Sequence, residues 1–399
     1  MDFSLLKQSA KKKSASIIGW RRLLHQNPEA GLDLPFTKKL VHTELKKMGL
    51  AKSYRQMDGG IMVDLSGKSG EGSSFTALRV DMDALPIAEK TGLPYASSVE
   101  GCMHACGHDA HTAIGLGIVS ILQGLRSCWE GKIRIIFQSG EEVLKGAKLM
   151  LEQGVLDNPG VNAILGLHLD PRFPLMSVGL KPGQINAYVD DFSVSVKGRS
   201  AHGATPHLSV DPVTAASFAV QAIQTIVSRN IPPAEPAVIS IGEIKGGNVS
   251  NIIPDQVMLK GTIRSLSSEI RDLLFSRLKS VMKGLEGTFG IDAEISITSG
   301  SPPVICDEDL TEACILILKK ILGGKSVLNL PSPQLGGDDF AYFAQKVPAV
   351  LVRLGCGKEG AGFPLHSSEF DFNEKVLEFG AALFSNLLIC LTGQNLERG

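Results

Sequence analysis

The sequence predicts an α/β protein whose larger domain is interrupted by a smaller, inserted α+β domain. Three observations predict it. Apolar strand patterns alternate with helix patterns over the first half of the chain and again from Asp309, which implies a sheet with helices on its faces. Between Tyr188 and Thr298 the order is instead β-α-β-β-α-β, the split βαβ or ferredoxin-like unit. The chain has 399 residues, more than the ~250–300 at which a single core stops growing. The predicted domains are 1–184 for the first part of the larger domain, 185–298 for the insertion, and 299–399 for the second part.

In chain order, an amphipathic start at Ile17 to Leu24 and a helix at Thr37 to Met48 precede strands at Gly60–Leu65 and Phe75–Val80. A long helix follows from Thr112 to Leu125, then a strand at Lys132–Phe137, a helix at Lys145–Glu152 and a strand at Ala163–Leu169. The texture changes at Tyr188, where YVDDFSVSVKG alternates as a half-buried strand. Asp211 to Ser228 reads as a helix, Ala237–Ile244 and Gln256–Ile263 as strands, Ser267 to Leu285 as a helix and Asp292–Thr298 as a strand. Ile315–Ile321 and Glu374–Leu391 are helical, with Ala349–Leu354 extended between them.

Composition narrows the function. Hydrophobic residues make up 43% and charged residues 20%, an ordinary globular mixture. Forty basic residues nearly cancel forty-one acidic ones, which argues against nucleic-acid or membrane-surface partners. No apolar run approaches the ~18–20 residues of a spanning helix. In MDFSLLKQSAKKKSAS the lysines follow the short apolar stretch, the wrong order for a secretory signal, so a cytoplasmic location is expected. Seven cysteines without a regular framework fit reduced thiols, with Cys128, Cys314 and Cys390 expected in the core.

Five clusters carry the chemistry. GCMHACGHDAHTA holds three of the nine histidines and two of the seven cysteines. Cys106 and His108 stand on a turn before a helix, and thiolate and imidazole both suit zinc and similar divalent metals. A closed structural zinc site of Cys102, His104, Cys106 and His108 is the plainer alternative, but no second ligand pair of similar spacing is visible. In IRIIFQSGEEVLKGA, Glu141 and Glu142 follow a buried strand, and neighbouring residues cannot face the same way. One carboxylate can therefore bind a metal while the other addresses a water, as metal-assisted hydrolysis requires. A solvated pair at a helix start, complementing the macrodipole, would explain them better if they stood alone. His168 closes an apolar strand, and His366 lies in the loop after AVLVRLG, both where open α/β sheets place their sites. Asp81 and Asp83 in RVDMDALP either orient ligands or cap a turn.

RVDMDALP, MHACGHDAHTA, the glutamate pair, GLHLDP, GRSAHGATPH, NIIPD, GTIRS, LGGDDFAYF and PLHSSEFDF occur together, in order, over nearly the whole chain. In this the chain resembles the amidohydrolase branch of the aminoacylase and carboxypeptidase G superfamily, which holds hippurate hydrolases and indoleacetyl-amino-acid hydrolases. The resemblance implies a zinc-peptidase-like α/β catalytic domain and an inserted ferredoxin-like lid that forms a homodimer or higher homo-oligomer. It implies two divalent ions per subunit (zinc, manganese, cobalt or nickel) held by Cys106, His108, Glu142, His168 and His366. Glu141 becomes the acid–base residue, and His202 polarises the scissile carbonyl, often across the dimer. Asn251 and Arg264 hold the substrate's carboxylate. The implied reaction is hydrolysis of small N-acyl amino acids, with a dipeptidase or carboxypeptidase of the same superfamily as the alternative. Cys106 and Arg79, in place of a bridging aspartate and a metal-binding histidine, favour the former. The chain departs from the commonest pattern at QSGEE, at Ala201 and at Asp338, where a glutamate is more typical.

Overall fold

A computed structural model of the chain describes residues 2–68, 74–357 and 363–392; the end of the 299–399 segment therefore lies partly outside the described residues. The chain divides into two compact units. The first comprises the chain up to Ile185, Val304–Pro331 and the residues from Asp338 onward; the second is Asn186–Pro303 with Ser332–Gly337. Ser332–Gly337 clusters with the second unit, where Ala187 N–H donates to Gly336 O at 3.2 Å.

The first unit begins with helices α1 (Phe3–Gln26) and α2 (Pro35–Lys47) and strands β1 (Tyr54–Met57), β2 (Gly60–Ser66) and β3 (Phe75–Asp81). Then come α3 (His108–Gly124), β4 (Lys132–Gln138), α4 (Gly146–Glu152), β5 (Val161–Pro174), β6 (Val178–Leu180) and β7 (Gly183–Gln184). After the second unit the chain returns with β14 (Ile305–Cys306), α7 (Glu308–Leu322), β15 (Val327–Asn329), α8 (Ala341–Ala344), β16 (Ala349–Gly357) and α9 (Lys375–Thr392). Eight strands form one sheet in the order β1-β2-β4-β3-β5-β16-β6-β15. Its centre, β4-β3-β5-β16, is parallel. Parallel strands covered on both faces need continuous apolar runs, and every residue of β3 is buried.

Helices α1, α3 and α9 pack together on one face, and close approach is set by glycines. A Cβ on Gly117 would stand 2.9 Å from Ile17 and 3.1 Å from Ala381. The expectation that no apolar run reaches membrane-spanning length is corrected here. Lys375–Thr392 has 18 residues and a mean hydropathy of 1.5, but 67% of it is buried. It is apolar nearly all round because it lies in the core, among α1, α3 and the sheet.

The second unit contains β8 (Tyr188–Lys197), β9 (Ala201–His202), α5 (Pro212–Asn230), β10 (Ala237–Gly246), β11 (Ile252–Ile253), β12 (Gln256–Ser265), α6 (Ser268–Phe289) and β13 (Asp292–Ser299). Its main sheet runs β10-β12-β8-β13, all antiparallel, which is the ferredoxin-like arrangement the pattern predicts. Asp211 caps α5 by accepting from Val213 and Thr214, Pro212 sits in the first turn, and Gly290 ends α6 at φ 68. Ala219, Ile223 and Ile226 of α5 meet Leu274, Leu278 and Met282 of α6 in a core separate from that of the first unit.

Elements of two to four residues, such as β1, β6 and β15, have no pattern long enough to read from sequence. Two of the three cysteines expected in the core are not fully buried. Cys128 is exposed on a short turn after α3 and Cys390 is half-buried in the last turn of α9, whereas Cys314 is buried; all seven are free thiols.

Backbone contact gives a stability test. Gly60 has φ +152, and a Cβ there would lie 2.0 Å from Phe137 O, a backbone atom that cannot swing away. Gly60→Ala should lower unfolding free energy by about 2–4 kcal/mol, since strain and overpacking each cost ~1–3 kcal/mol. Gly19→Ala, in α1 with nothing within 4 Å, should raise it by ~0.5–1 kcal/mol. Urea unfolding of both variants measures the difference, and equal midpoints would contradict the analysis.

Candidate metal centre

The parallel strands β3 and β4 end level with one another, at Asp81 and Gln138, and the chemistry gathers beyond that edge. Gly107, at φ 85, turns the chain into α3 and leaves Cys106 and His108 on either side of the turn. Only glycine fits comfortably, because the backbone is left-handed and a Cβ would meet Leu169 at 3.1 Å. His168 does not end its strand as expected: β5 continues to Pro174. The β3–β5 pairing, however, ends at Arg79 against Gly166, so His168 lies two residues beyond it, as Asp81 does on β3. His366 occupies a turn at φ 65, and its N–H donates to Ala105 O at 2.8 Å, fastening that loop beside Cys106.

The glutamates occupy a turn rather than a helix start. Its backbone is clamped by one side chain: Asp83 Oδ1 accepts from Glu141 N at 3.1 Å and Oδ2 from Glu142 N at 3.0 Å. The alternative of a solvated, dipole-complementing pair fails, because Glu141 is buried and Glu142 nearly so.

Two triads of metal-capable groups share one thiol. Cys106, His108 and His168 form the first; Cys106, Glu142 and His366 form the second, with the ligating atoms of each triad within 4.8 Å of one another. Cys106 Sγ is 3.5 Å from His168 Nε2, and Glu142 Oε1 is 3.4 Å from His366 Nε2 and 3.9 Å from His108 Nε2. Both ring nitrogens of His108 and Oε1 of Glu142 are buried without a hydrogen bond. Orphaned buried groups of this kind cost free energy unless something compensates them. Thiol, imidazole and carboxylate converging on common points fit a pair of divalent cations. Cys102 and His104 join none of these groups among the described residues, which removes the closed structural site.

The electrostatics agree. The neighbouring Cys106 and Glu142 push His366 up to about 10. Burial, reinforced by the Arg353 charge, keeps His168 well below its ordinary value and therefore a neutral ligand. Burial and the Glu142 carboxylate push the Cys106 thiol up, and a bound cation would reverse that by favouring thiolate. Burial, with Asp338 and Glu142 nearby, raises Glu141 well above the usual carboxylate range.

His111, which the motif contains but to which sequence reasoning gave no role, has both nitrogens committed. Leu169 N–H donates to Nε2 at 2.8 Å, so the proton is on Nδ1 and is donated to Asp81 Oδ1 at 2.5 Å. His111 therefore ties the part of β5 that carries His168 to Asp81 and α3. Asp81 also accepts from Arg79 Nη1 at 2.6 Å. Arg79 is fully buried and donates onward to Asp339 at 2.8 Å and Gln138 at 2.9 Å. Asp338, the shortened position, caps its own turn by accepting from Phe340 N at 2.9 Å and lies 3.3 Å from Arg79.

The remaining candidates lie in the second unit. His202 Nδ1 accepts from Ala204 N–H at 3.0 Å, which leaves the Nε2 hydrogen as an exposed donor. Gly203 N–H donates to Asn251 O at 2.8 Å, and Ile252 pairs with His202, so His202 and Asn251 lie side by side. Arg264 is half-buried on β12, opposite Val189 and Val238.

Comparison with known proteins places these features. The pattern of peptidase family M20/M25/M40 matches residues 77–389. The chain is 41% identical over 341 residues to an N-acetyl-L-cysteine deacetylase of Bacillus subtilis, covering 85% of this chain and 80% of that one. It is 36% identical over 391 residues to thermostable carboxypeptidase 2 of Saccharolobus solfataricus, covering 96% and 97%. It superposes on the crystal structure of the Bacillus subtilis YXEP protein, a dinuclear metal-binding peptidase of the M20 family. The TM-score is 0.77 at 31% identity, covering 96% of this chain and 99% of that one.

The Asp83 clamp predicts a metal phenotype without removing a ligand. Asp83→Ala frees the turn that carries Glu142, and loss of such an outer contact typically costs ~10–100-fold in metal affinity. Competition with a chelator measures it; an unchanged affinity would show that the turn holds itself.

Proposed function

Because the chain belongs to peptidase family M20/M25/M40, we propose that it hydrolyses the amide bond of N-acyl amino acids or related small conjugates, releasing a carboxylic acid and a free amino acid. Membership makes it a metal-dependent hydrolase with a catalytic domain and a lid and dimerisation domain. The observation that carries the finer reading is Cys106, which stands in two of the metal-capable triads. With it goes Arg79, whose side chain is committed to carboxylates and Gln138. That combination supports a reading in the branch of hippurate and indoleacetyl-amino-acid hydrolases, and the likeness to an N-acetyl-L-cysteine deacetylase supports an N-acyl substrate. The likeness to a carboxypeptidase favours the alternative, cleavage of a peptide from its carboxyl end.

The proposed ligands are Cys106, His108, Glu142, His168 and His366, for two ions drawn from zinc, manganese, cobalt and nickel. Bound there, such ions supply Lewis acidity to an amide carbonyl and lower the pKa of a water. Glu141 takes the proton from the attacking water and gives it to the leaving amine. Its burial beside other carboxylates raises its proton affinity, which suits a base that must later act as an acid. His202 presents its Nε2 hydrogen to the developing oxyanion, contributed in a homodimer by the partner subunit; such donors are worth ~3–4 kcal/mol. Asn251 and Arg264 receive the substrate's carboxylate. The protein is proposed to act in the cytoplasm.

A panel of acetyl, benzoyl, indoleacetyl and aminobenzoyl amino acids, assayed with each metal, tests the reading. Hydrolysis of dipeptides with no N-acyl amino acid turned over would select the alternative.

The adjacent glutamates should separate cleanly. Glu141→Gln keeps the shape but cannot accept a proton, so turnover should fall by at least ~10²–10⁴-fold while metal content stays near that of the unaltered protein. Glu142→Gln leaves a neutral oxygen among the ligands, so metal affinity should fall and excess metal should restore part of the activity. Rescue of the 141 variant but not the 142 variant would reverse the assignment.

A further inference from the structure

Helix α1 is distant in sequence from every candidate ligand, yet the guanidinium of its Arg21 lies where three ligand-bearing segments meet. The side chain is only 1% exposed. Nε donates to Asp109 Oδ2 at 2.9 Å, and Asp109 follows His108 in the first turn of α3. Nη1 donates to Glu374 Oε1 at 3.4 Å and Nη2 lies 3.7 Å from Asp371 Oδ1, both in the segment that follows His366. The guanidinium plane lies 4.5 Å from the Phe372 ring centre and 4.9 Å from that of Tyr95, on the segment that leads to Cys106. One turn along α1, His25 extends the contact: Nδ1 is 2.8 Å from Asp109 Oδ2 and Nε2 is 3.2 Å from Glu89 Oε1. Glu89 in turn accepts from Ser97 N–H at 2.6 Å, again on the segment leading to Cys106.

A buried guanidinium must be compensated on every side, and its planar fork offers donors in fixed directions. Here Nε ends on one segment, Nη1 and Nη2 on a second, and the Tyr95 ring supplies the third, so the placement of those segments is tied to one rigid group. His168 is not among them; it is held through Leu169 by His111. We propose that Arg21 is a positioning residue for the metal centre, setting the mutual placement of Cys106, His108 and His366 from outside the ligand sphere. The inference rests on the reading of the metal centre given above and adds a residue to it.

Cobalt(II) is the probe, because its thiolate charge-transfer absorption reports ligation by Cys106 directly. Arg21→Lys keeps the charge but loses the fork. Its cobalt dissociation constant should rise ~10–100-fold, and its charge-transfer absorption per bound ion should fall. Leu65→Ala, a core truncation at the opposite edge of the sheet, serves as a destabilised control and should leave both readouts unchanged. A merely structural Arg21 would lower the melting temperature of the metal-free chain while cobalt affinity and absorption stayed at the unaltered values; that result overturns the proposal. So does a Leu65→Ala variant that shifts them as much as Arg21→Lys does. If Arg21→Lys does not fold, Glu374→Gln removes one partner of the fork and should move both readouts in the same direction, whereas Arg22→Ala, which breaks the other pairing of Glu374, should not; no movement in the former, or equal movement in both, overturns the proposal. Absence of the absorption in the unaltered protein would overturn the metal-centre reading itself, whereas its presence there with no change in the variants refutes the positioning role alone.

Discussion

The structure depends on crowding ligating groups at one sheet edge with too few hydrogen bonds to satisfy them. His108 is buried with neither ring nitrogen hydrogen-bonded, Glu142 has an oxygen without a hydrogen bond, and Cys106 stands in two triads. Such an arrangement is expensive to fold in the absence of cations, and the surrounding chain is organised to hold it. The glycine turn at 107, the left-handed turn at His366 and the Asp83 clamp all spend backbone freedom on the same few ångströms.

Around that edge the charged residues divide into two supports on different elements. One is Arg79 with Asp81, Asp339, Gln138 and His111, which joins the ends of β3 and β4 and the middle of β5 to α3. The other is Arg21 with Asp109, Glu374, His25 and Glu89, which joins α1 and α3 to the loops before and after the ligands. Both place a cation where carboxylates would otherwise repel one another. Both use arginine, whose charge does not depend on pH and whose fork contacts several partners at once. The acid–base candidate Glu141 sits beside the first support, close enough to Asp338 for its proton affinity to be raised.

How much of this was legible in the sequence follows from the range of each signal. The alternation of strands and helices, the inserted β-α-β-β-α-β order, and the pairing of a thiol with imidazoles and adjacent glutamates are local patterns. They appear because side-chain periodicity and ligand chemistry are properties of short segments. The α9 helix shows the limit of that reading: its composition satisfies the length and hydropathy of a membrane span, and only burial among α1, α3 and the sheet identifies it as core. Cys128 shows the converse, an apolar-looking context that ends on an exposed turn.

By itself the sequence determined the fold class, the family and the set of residue types that converge on metal chemistry. Tertiary structure alone decided which groups share a point in space: that Cys106 belongs to two triads, that His111 is spent on Leu169 and Asp81, and that Cys102 and His104 stay outside. It also decided that Arg21 touches three segments, the farthest of them 353 residues away along the chain. The reason is physical. A periodic pattern constrains neighbours along the chain, whereas hydrogen-bond directions and the cost of burying a charge are settled only when distant segments pack against one another.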